Sequence, residues 1–525
     1  MVAQRPPVAG AIVMAERLFR CDAVADVDRR AREEMGIPGI VLMEGAGRSL
    51  WDTIKDRIRG ESLVICAGPG NNGGDALVAA RFALIEERQP APIIITARRN
   101  GGALAEQQWA ILERMGASRL IWEEEPQRCS DELARARWIL EGLLGTGTTG
   151  AVREPLLNLI RLINSSPAGV IAVDIPSGVS DGCPAGGETI HADITVCTGP
   201  PREVLYSGAI RPRCGEILTV DPGFPPALLR DAAAQEELPV LWRAGTLLRH
   251  HARTLAVPRT AHKGVRGAVG VLGGGTGASG APILAGRGAL AGGAGVVKIL
   301  SGAPSAHPRA VSGDAALMHL SPGETTLRDL IRWSRALVIG PGWTDATTAD
   351  LAEVLAAAGE GNVPLVLDAA ALRLSGDEGV HLKDIALLTA PVVVTPHPGE
   401  MASLVGTSVD EVLADPRGVI RAFQETIPVT VVLKGSVTWV AAPAGGAILV
   451  LDGGCPALAT AGSGDVLAGV VGALLARGTM DGPTAAALAV AAHLKAGRKL
   501  FTKRGWFTAD RLVNAIAREV SRGQR

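Results

Sequence analysis

The sequence predicts two unlike α/β domains in tandem, and three observations carry that expectation. Short apolar runs ending in glycine turns alternate with segments of helical period, the pattern of a sheet covered by helices on both faces. The pattern occurs twice, on either side of a Pro-, Ala-, Arg- and Leu-rich stretch from about Pro222 to His262 that holds no clear strand and reads as a connector. The length, 525 residues, corresponds to about three and a half average domains, so a single domain is not expected.

In the first half the strands are expected in SLVICAG from Ser62, PIIITA from Pro92, WILEGLLG from Trp138, GVIAVDIPSG from Gly169 and ADITVCTG from Ala192. Between them, DALVAARFALIEER and EPLLNLIRLI place apolar residues at helical spacing. The second half begins at GAVGVLGGG from Gly267 and continues through GAGVVKIL, ALVIGPG, PLVLDAA, PVVVTPHPGE and TVVLKG. VTWVAAP and GAILVLDGG read as a hairpin, and three helices from GSGDVLAGVVGALLARG onward close the chain. No short-period repeat is present.

Composition narrows the function. Lys plus Arg is 52 and Asp plus Glu is 53, a formal net charge of -1, so a global electrostatic grip on nucleic acid or anionic lipid has no support. Nine Trp, six Phe and one Tyr are too few for an aromatic stacking platform. No stretch is a continuously apolar run of the ~18 residues a membrane helix needs, and the opening MVAQRPPVAG does not read as a secretory signal. The seven cysteines (Cys21, Cys66, Cys129, Cys183, Cys197, Cys214, Cys455) are scattered and form no Cys-x-x-Cys pair. They fit neither a disulfide framework nor a zinc site, and a cytoplasmic enzyme is expected. Gly, at 66 of 525, exceeds the usual share of about 7%.

Much of that glycine lies in loops at strand ends. No lysine follows a glycine, so no Walker A loop exists. The best phosphate site is Ala461-Gly462-Ser463-Gly464-Asp465, where glycines open a close approach and a helix N-terminus aims N–H groups at an anion; Asp465 is also what an ordinary helix cap supplies. Lys434-Gly435, Thr395-Pro396-His397-Pro398-Gly399-Glu400, Asp368 and Gly340-Pro341-Gly342 end neighbouring strands, and parallel sheets place ligands at such ends. In the first half, Gly68-Pro69-Gly70-Asn71-Asn72-Gly73-Gly74-Asp75 follows a strand and opens a helix. Gly145-Thr146-Gly147-Thr148-Thr149-Gly150 matches G-x-G-x-x-G, a weak signal in a glycine-rich chain. Side-chain oxygens of Asn72, Glu141 and Ser177 are able to hold a hard cation, and a lone carboxylate with a serine favours a monovalent one. His250-His251, the basic residues from Lys495 to Arg504 and the alanine run 485–492 read as solvated or packing features.

These motifs carry a resemblance. Gly68 to Asp75, Leu144-Gly145-Thr146-Gly147 and Val173-Asp174-Ile175-Pro176-Ser177-Gly178 resemble the NAD(P)H-hydrate epimerase domain. HKGVRGAVGVLGGGTGASGA, VIGPG, LVLDAAAL, TPHPGE, LKGSVT and ATAGSGDVLAG resemble the ADP-dependent NAD(P)H-hydrate dehydratase. Together they span the chain from about Ala15 to Glu519, as in the bifunctional repair family. The resemblance implies a Rossmann-like three-layer α/β domain over 12–228 and a ribokinase-like α/β domain over 238–525. It also implies epimerisation of R and S hydrates of NADH and NADPH (NADHX, NADPHX), and dehydration of the S form with ADP as phosphoryl donor, releasing AMP and phosphate.

Carried over by position, the resemblance places the epimerase substrate on Asn71, Asn72, Gly73, Gly74 and Asp75, on Gly145, Thr146, Gly147, Thr148, Thr149, Gly150 and Ala151, and on Asp174, which is the expected acid or base. K+ is expected on Asn72, Glu141 and Ser177. The dehydratase substrate is expected on Ala281, Gly342, His397 and Asp465, and the nucleotide, with Mg2+, on Lys434, Gly435, Ser436, Val437, Thr438 and Gly464. Asp465 is the expected base. Four positions depart from the family: Glu141 replaces Asp, Gly45 Asn, Ala76 Gly and Arg202 Lys; arginine cannot act as a titrating amine. Small molecules are the expected partners, with neither nucleic acid nor membrane, in a homo-oligomer. The alternative is a ribokinase-like small-alcohol kinase fused to a non-catalytic dinucleotide-binding domain.

Overall fold

Residues 15–147, 150–181, 187–302, 314–320, 326–376, 384–443 and 445–524 are described by the computed structural model. The chain forms two units, one mainly Arg17–Pro239 and the other mainly Val240–Val412 with Pro416–Arg525.

The first unit is built on a seven-stranded sheet in the order Arg119–Ile121, Ile93–Thr96, Leu63–Ala67, Trp138–Gly142, Gly169–Val173, Ile194–Thr198, Glu216–Val220. Every neighbouring pair is parallel. Parallel strands need crossovers that cover both faces, and the residues divide accordingly. Leu63, Ile65 and Ala67 enter one apolar cluster with Leu50, Trp51 and Leu77. Val64 and Cys66 enter the other, with Ile139, Leu159 and Ile160. The result is three layers. Strand order reverses between Leu63–Ala67 and Trp138–Gly142, and the loops that follow these two strands are Gly68–Asp75 and Leu143–Gly150.

The second unit is built on an eleven-stranded sheet, in the order Ala15–Arg17, Val240–Trp242, Ile448–Asp452, Val437–Ala441, Thr430–Leu433, Val392–Val394, Leu365–Leu367, Ala336–Ile339, Ala268–Gly273, Val296–Ser301, Met318–Leu320. It is parallel from Thr430–Leu433 to Met318–Leu320. The expected hairpin is present: Val437–Ala441 pairs antiparallel with Ile448–Asp452, and also with Thr430–Leu433. The reversal of order lies at Ala268–Gly273.

Helix Ser463–Leu475 is apolar nearly all round because it is buried nearly all round. It crosses helix Gly280–Ala291 through reciprocal notches: a Cβ on Gly469 would run into the Ala285 carbonyl, and one on Gly288 into the Val466 carbonyl. Glycine at both contacts brings the two backbones together and fixes where the helix that carries Asp465 sits.

The connector expected over Pro222 to His262 is more ordered than its composition suggests. It contains helices Pro226–Gln235, Ala244–His250 and Ala252–Leu255 and the strand Val240–Trp242. That strand has three residues and pairs with Leu449 and Val450, about two hundred residues away, so no local alternation marks it. Arg119–Ile121 and Met318–Leu320, equally short, also lack a local signal. Among the described residues six cysteines are free, and no helix is long and apolar enough to cross a membrane.

Candidate active sites

In the first unit, Leu63–Ala67 delivers the Gly68–Gly70 turn into helix Asn71–Ile85, whose first turn buries Asn72, Gly73, Gly74 and Asp75. Asn72 Nδ2 donates to the Leu144 carbonyl at 2.9 Å. Glu141, fully buried, accepts from Ser177 N at 3.0 Å on Oε1, and from Ser177 Oγ at 2.5 Å and Leu143 N at 3.3 Å on Oε2. Asn72 and Ser177 therefore meet at Leu144, and Glu141 joins them through Ser177. No cationic side chain among the described residues pairs with Glu141. Burial pushes its carboxyl up to about 7, against the pull of the Ser177 and Leu143 donors. A buried carboxylate with no cationic partner among the described residues, its oxygens engaged by the Ser177 hydroxyl and two backbone N–H groups, is compatible with a monovalent cation such as K+.

Asp174 follows strand Gly169–Val173 in the left-handed region, φ 63°. Its Oδ1 accepts from Thr198 N at 3.1 Å, Thr198 Oγ1 at 3.0 Å and Arg202 Nη2 at 2.6 Å. Arg202 is 2% exposed and also donates to the Thr198 carbonyl. In this pair the arginine acts as a structural countercharge. The Gly145–Gly150 segment opens no helix; the next one begins at Leu156, so the helix N-terminus in this site is that of Asn71–Ile85. Thr148 and Thr149 lie outside the described residues, and Ala151 is exposed. Gly45 packs under Pro222, whose carbonyl a Cβ would strike, so this backbone leaves no room for a larger residue there.

In the second unit, backbone hydrogen bonds tie successive strand ends together: Gly274 N to Pro341 O, Asp368 N to Ile339 O, Thr395 N to Leu367 O and Lys434 N to Pro396 O, at 2.8–3.0 Å. The strand ends at Gly340–Gly342, Asp368, Thr395–Glu400 and Lys434 are thus contiguous. Lys434 Nζ lies 2.7 Å from Asp368 Oδ1 and 4.0 Å from Glu400 Oε2, and Thr395 Oγ1 donates to the same Asp368 oxygen at 2.8 Å. Burial alone would lower the Lys434 ammonium; the Asp368 and Glu400 carboxylates outweigh it, and the net shift is upward. Gly464 borders that ammonium, and Ala281 borders Gly342.

Asp465 stands in the first turn of helix Ser463–Leu475. Asp465 makes no side-chain hydrogen bond to the helix start among the described residues, and it is the acidic residue of the first turn, where the helix dipole favours a carboxylate. Burial first, then the Asp368 and Glu400 carboxylates against the opposing Lys434, push its carboxyl up to about 7. His397 caps helix Pro398–Val405, its Nδ1 accepting from Gly399 N at 3.1 Å and Glu400 N at 3.2 Å. Gly435 and Ser436 are exposed in the turn after Lys434, whereas Val437 and Thr438 are buried in the following strand.

Residues 39–204 match the family described as YjeF-related protein N-terminus, and residues 269–518 match NAD(P)H-hydrate dehydratase. The chain is 32% identical over 515 residues to the bifunctional NAD(P)H-hydrate repair enzyme Nnr of Moorella thermoacetica, covering 92% of each. It is 34% identical over 520 residues to that of Thermanaerovibrio acidaminovorans, covering 95% of this chain and 96% of the relative. The chain belongs to the bifunctional NAD(P)H-hydrate repair enzymes. An ADP/ATP-dependent NAD(P)H-hydrate dehydratase from Bacillus subtilis, solved with ATP and Mg2+, is 26% identical and covers 53% of this chain and 97% of that one, with a TM-score of 0.43.

Two polar groups of this repair enzyme escape sequence reasoning. His493, buried on helix Gly482–Arg504, holds the Ser463 carbonyl through Nε2 at 3.1 Å, and burial pushes its imidazole down to about 4. It follows an alanine run that reads as packing, so nothing local distinguishes it. Thr198, the second partner of Asp174, ends a strand 24 residues further on and carries no motif.

Proposed function

We propose that the segment 12–228 epimerises R and S NADHX and NADPHX, and that the segment 238–525 dehydrates the S form with ADP, releasing AMP and phosphate. The observation that carries this reading is Asp465: a carboxylate held near neutrality, at a helix N-terminus, beside one buried lysine. At pH 7 such a group exists in both forms and is suited to take a proton from an alcohol. Asp465 accepts the hydroxyl proton of the hydrate, and the freed oxygen attacks the β-phosphorus of ADP as the bond to AMP breaks. The Gly462–Gly464 amides and Lys434 offset the charge that develops on the transferred phosphoryl group. Phosphate then leaves with the C–O bonding pair while the ring-nitrogen lone pair forms a C=N bond, and loss of the neighbouring ring proton, whose C–H pair becomes the C=C bond, returns the π pair to nitrogen. Mg2+, when bound with the nucleotide, supplies charge neutralisation on its phosphates.

In the first segment, the hydrate lies on Asn71–Asp75, on the Gly145–Ala151 loop and against Asp174. Asn72, Glu141 and Ser177 would hold K+, which supplies a fixed positive charge. Glu141→Gln is expected to abolish stimulation of epimerisation by K+ and to slow it by about tenfold or more, with S-hydrate dehydration unchanged; retained K+ stimulation would place the ion elsewhere. The decisive assay adds ADP and Mg2+ to an equilibrated mixture of R and S NADHX. Recovery of the full 340 nm absorbance is expected, whereas consumption of only the S fraction would remove the epimerase assignment.

A further inference from the structure

The first unit presents two carboxylates at one site, and their surroundings are opposite. Asp174 is committed: its Oδ1 already accepts three hydrogen bonds, one from a buried guanidinium at 2.6 Å. A carboxylate oxygen engaged by three donors is held in place and is poorly disposed to hand a proton to a ligand. Asp75 is 9% exposed and lines a cavity with Asn71, Met43, Leu104, Thr198 and Phe224. It has no hydrogen-bond or ion-pair partner among the described residues. Thr198 belongs both to this cavity and to the Asp174 network, so the two carboxylates serve one space.

The charged groups facing Asp75 come from two directions. Asp174, with Arg202, lies at the neighbouring strand ends. Asp28 and Arg32 stand on the cavity wall from helix Cys21–Glu33, where Arg32 is engaged by Asp28 at 2.9 Å. Burial first, then the Asp174 and Asp28 carboxylates, hold Asp75 well above the ordinary carboxylate range.

We infer that Asp75 is the proton donor of epimerisation, and that Asp174 is a positioning residue that holds Thr198 and Arg202. This rests on the epimerase reading of the first segment. Water added to an enamine-type double bond leaves the hydroxyl on the carbon beside the ring nitrogen. Asp75 gives its proton to that hydroxyl; the C–O bond breaks with its electron pair on the departing water, and the nitrogen lone pair forms a C=N bond. A second water adds to the opposite face, the π pair returns to nitrogen, and the surplus proton passes through the departed water back to Asp75. No oxidant, reductant or net proton is consumed.

The test follows R-to-S interconversion directly, by chromatographic separation of the two hydrates without ADP and corrected for the spontaneous rate. Asp75→Asn keeps the size of the side chain and removes the acidic proton. A fall of at least about 100-fold in kcat with KM retained is expected, together with unchanged dehydration of S-hydrate and partial recovery in Asp75→Glu. The wild-type rate is expected to decline as pH rises and Asp75 ionises, a limb that the Asn variant lacks. An Asp75→Asn rate within threefold of wild type, or a loss confined to KM, overturns the assignment while leaving the epimerase reading intact. Wild-type enzyme that does not exceed the spontaneous rate overturns the epimerase reading and this inference with it.

Discussion

Asp465→Asn is expected to lower dehydration of S-NADHX by about three orders of magnitude while ADP still binds. The replacement has nearly the same shape, and no hydrogen bond from Asp465 caps the helix, so the packing of helix Ser463–Leu475 has no reason to change. What disappears is a carboxylate poised to accept a proton near pH 7, and a positioned base contributes about 10²–10⁴ in rate. The loss should appear in kcat rather than in nucleotide affinity. The pH profile gives an independent check. A base works when ionised, so the wild-type rate should rise with pH through about 7 and level off above it. The residual rate of the variant should not follow that limb. Near-normal activity would remove Asp465 from the reaction.

Gly469→Ala is expected to cost about 3 kcal/mol or more in the second unit, which corresponds to a fall of about 5–10 °C in its thermal transition. Alanine is ordinarily the better helix former by about 1 kcal/mol. Here the added Cβ would meet the Ala285 carbonyl of the crossing helix, and a backbone oxygen cannot swing aside as a side chain can. The two helices must separate, and Asp465 and the Gly462–Gly464 amides move with them. Gly280→Ala is the control, because a Cβ there meets nothing within 4 Å and should leave the transition nearly unchanged. Equal transitions for the two variants would show that the crossing tolerates the extra atom. Calorimetry on the full chain makes the comparison.

The long parallel strands were legible because each is a run of apolar residues buried on both faces, closed by a glycine turn; Leu63–Ala67 and Ala336–Ile339 are examples. The same punctuation marked the loops of both sites, since Gly70-Asn71-Asn72-Gly73 and Ala461-Gly462-Ser463-Gly464 sit where a strand or turn gives way to a helix. Other features depend on partners remote in sequence. Val240–Trp242 is a strand only because Ile448–Asp452 offers it an edge. The pairing of Lys434 with Asp368 joins residues 66 apart, and spacing could place both at strand ends without showing that they meet. Asp75 and Asp174 looked alike as carboxylates in glycine loops. The three donors that separate their surroundings come from Thr198, which no motif marks, and from Arg202, which the resemblance marks only as a replacement of lysine. Gly45 read as a lost amide until the Pro222 carbonyl above it supplied the steric reason.

The cap at the start of helix Pro398–Val405 has a consequence for the imidazole that makes it. With Nδ1 accepting two backbone N–H bonds, the neutral ring must carry its proton on Nε2. That edge lies 3.4 Å from Glu400 Oε1, and the side chain is more than half exposed. The backbone thereby fixes the tautomer, and His397 can present only a donor to whatever oxygen approaches it.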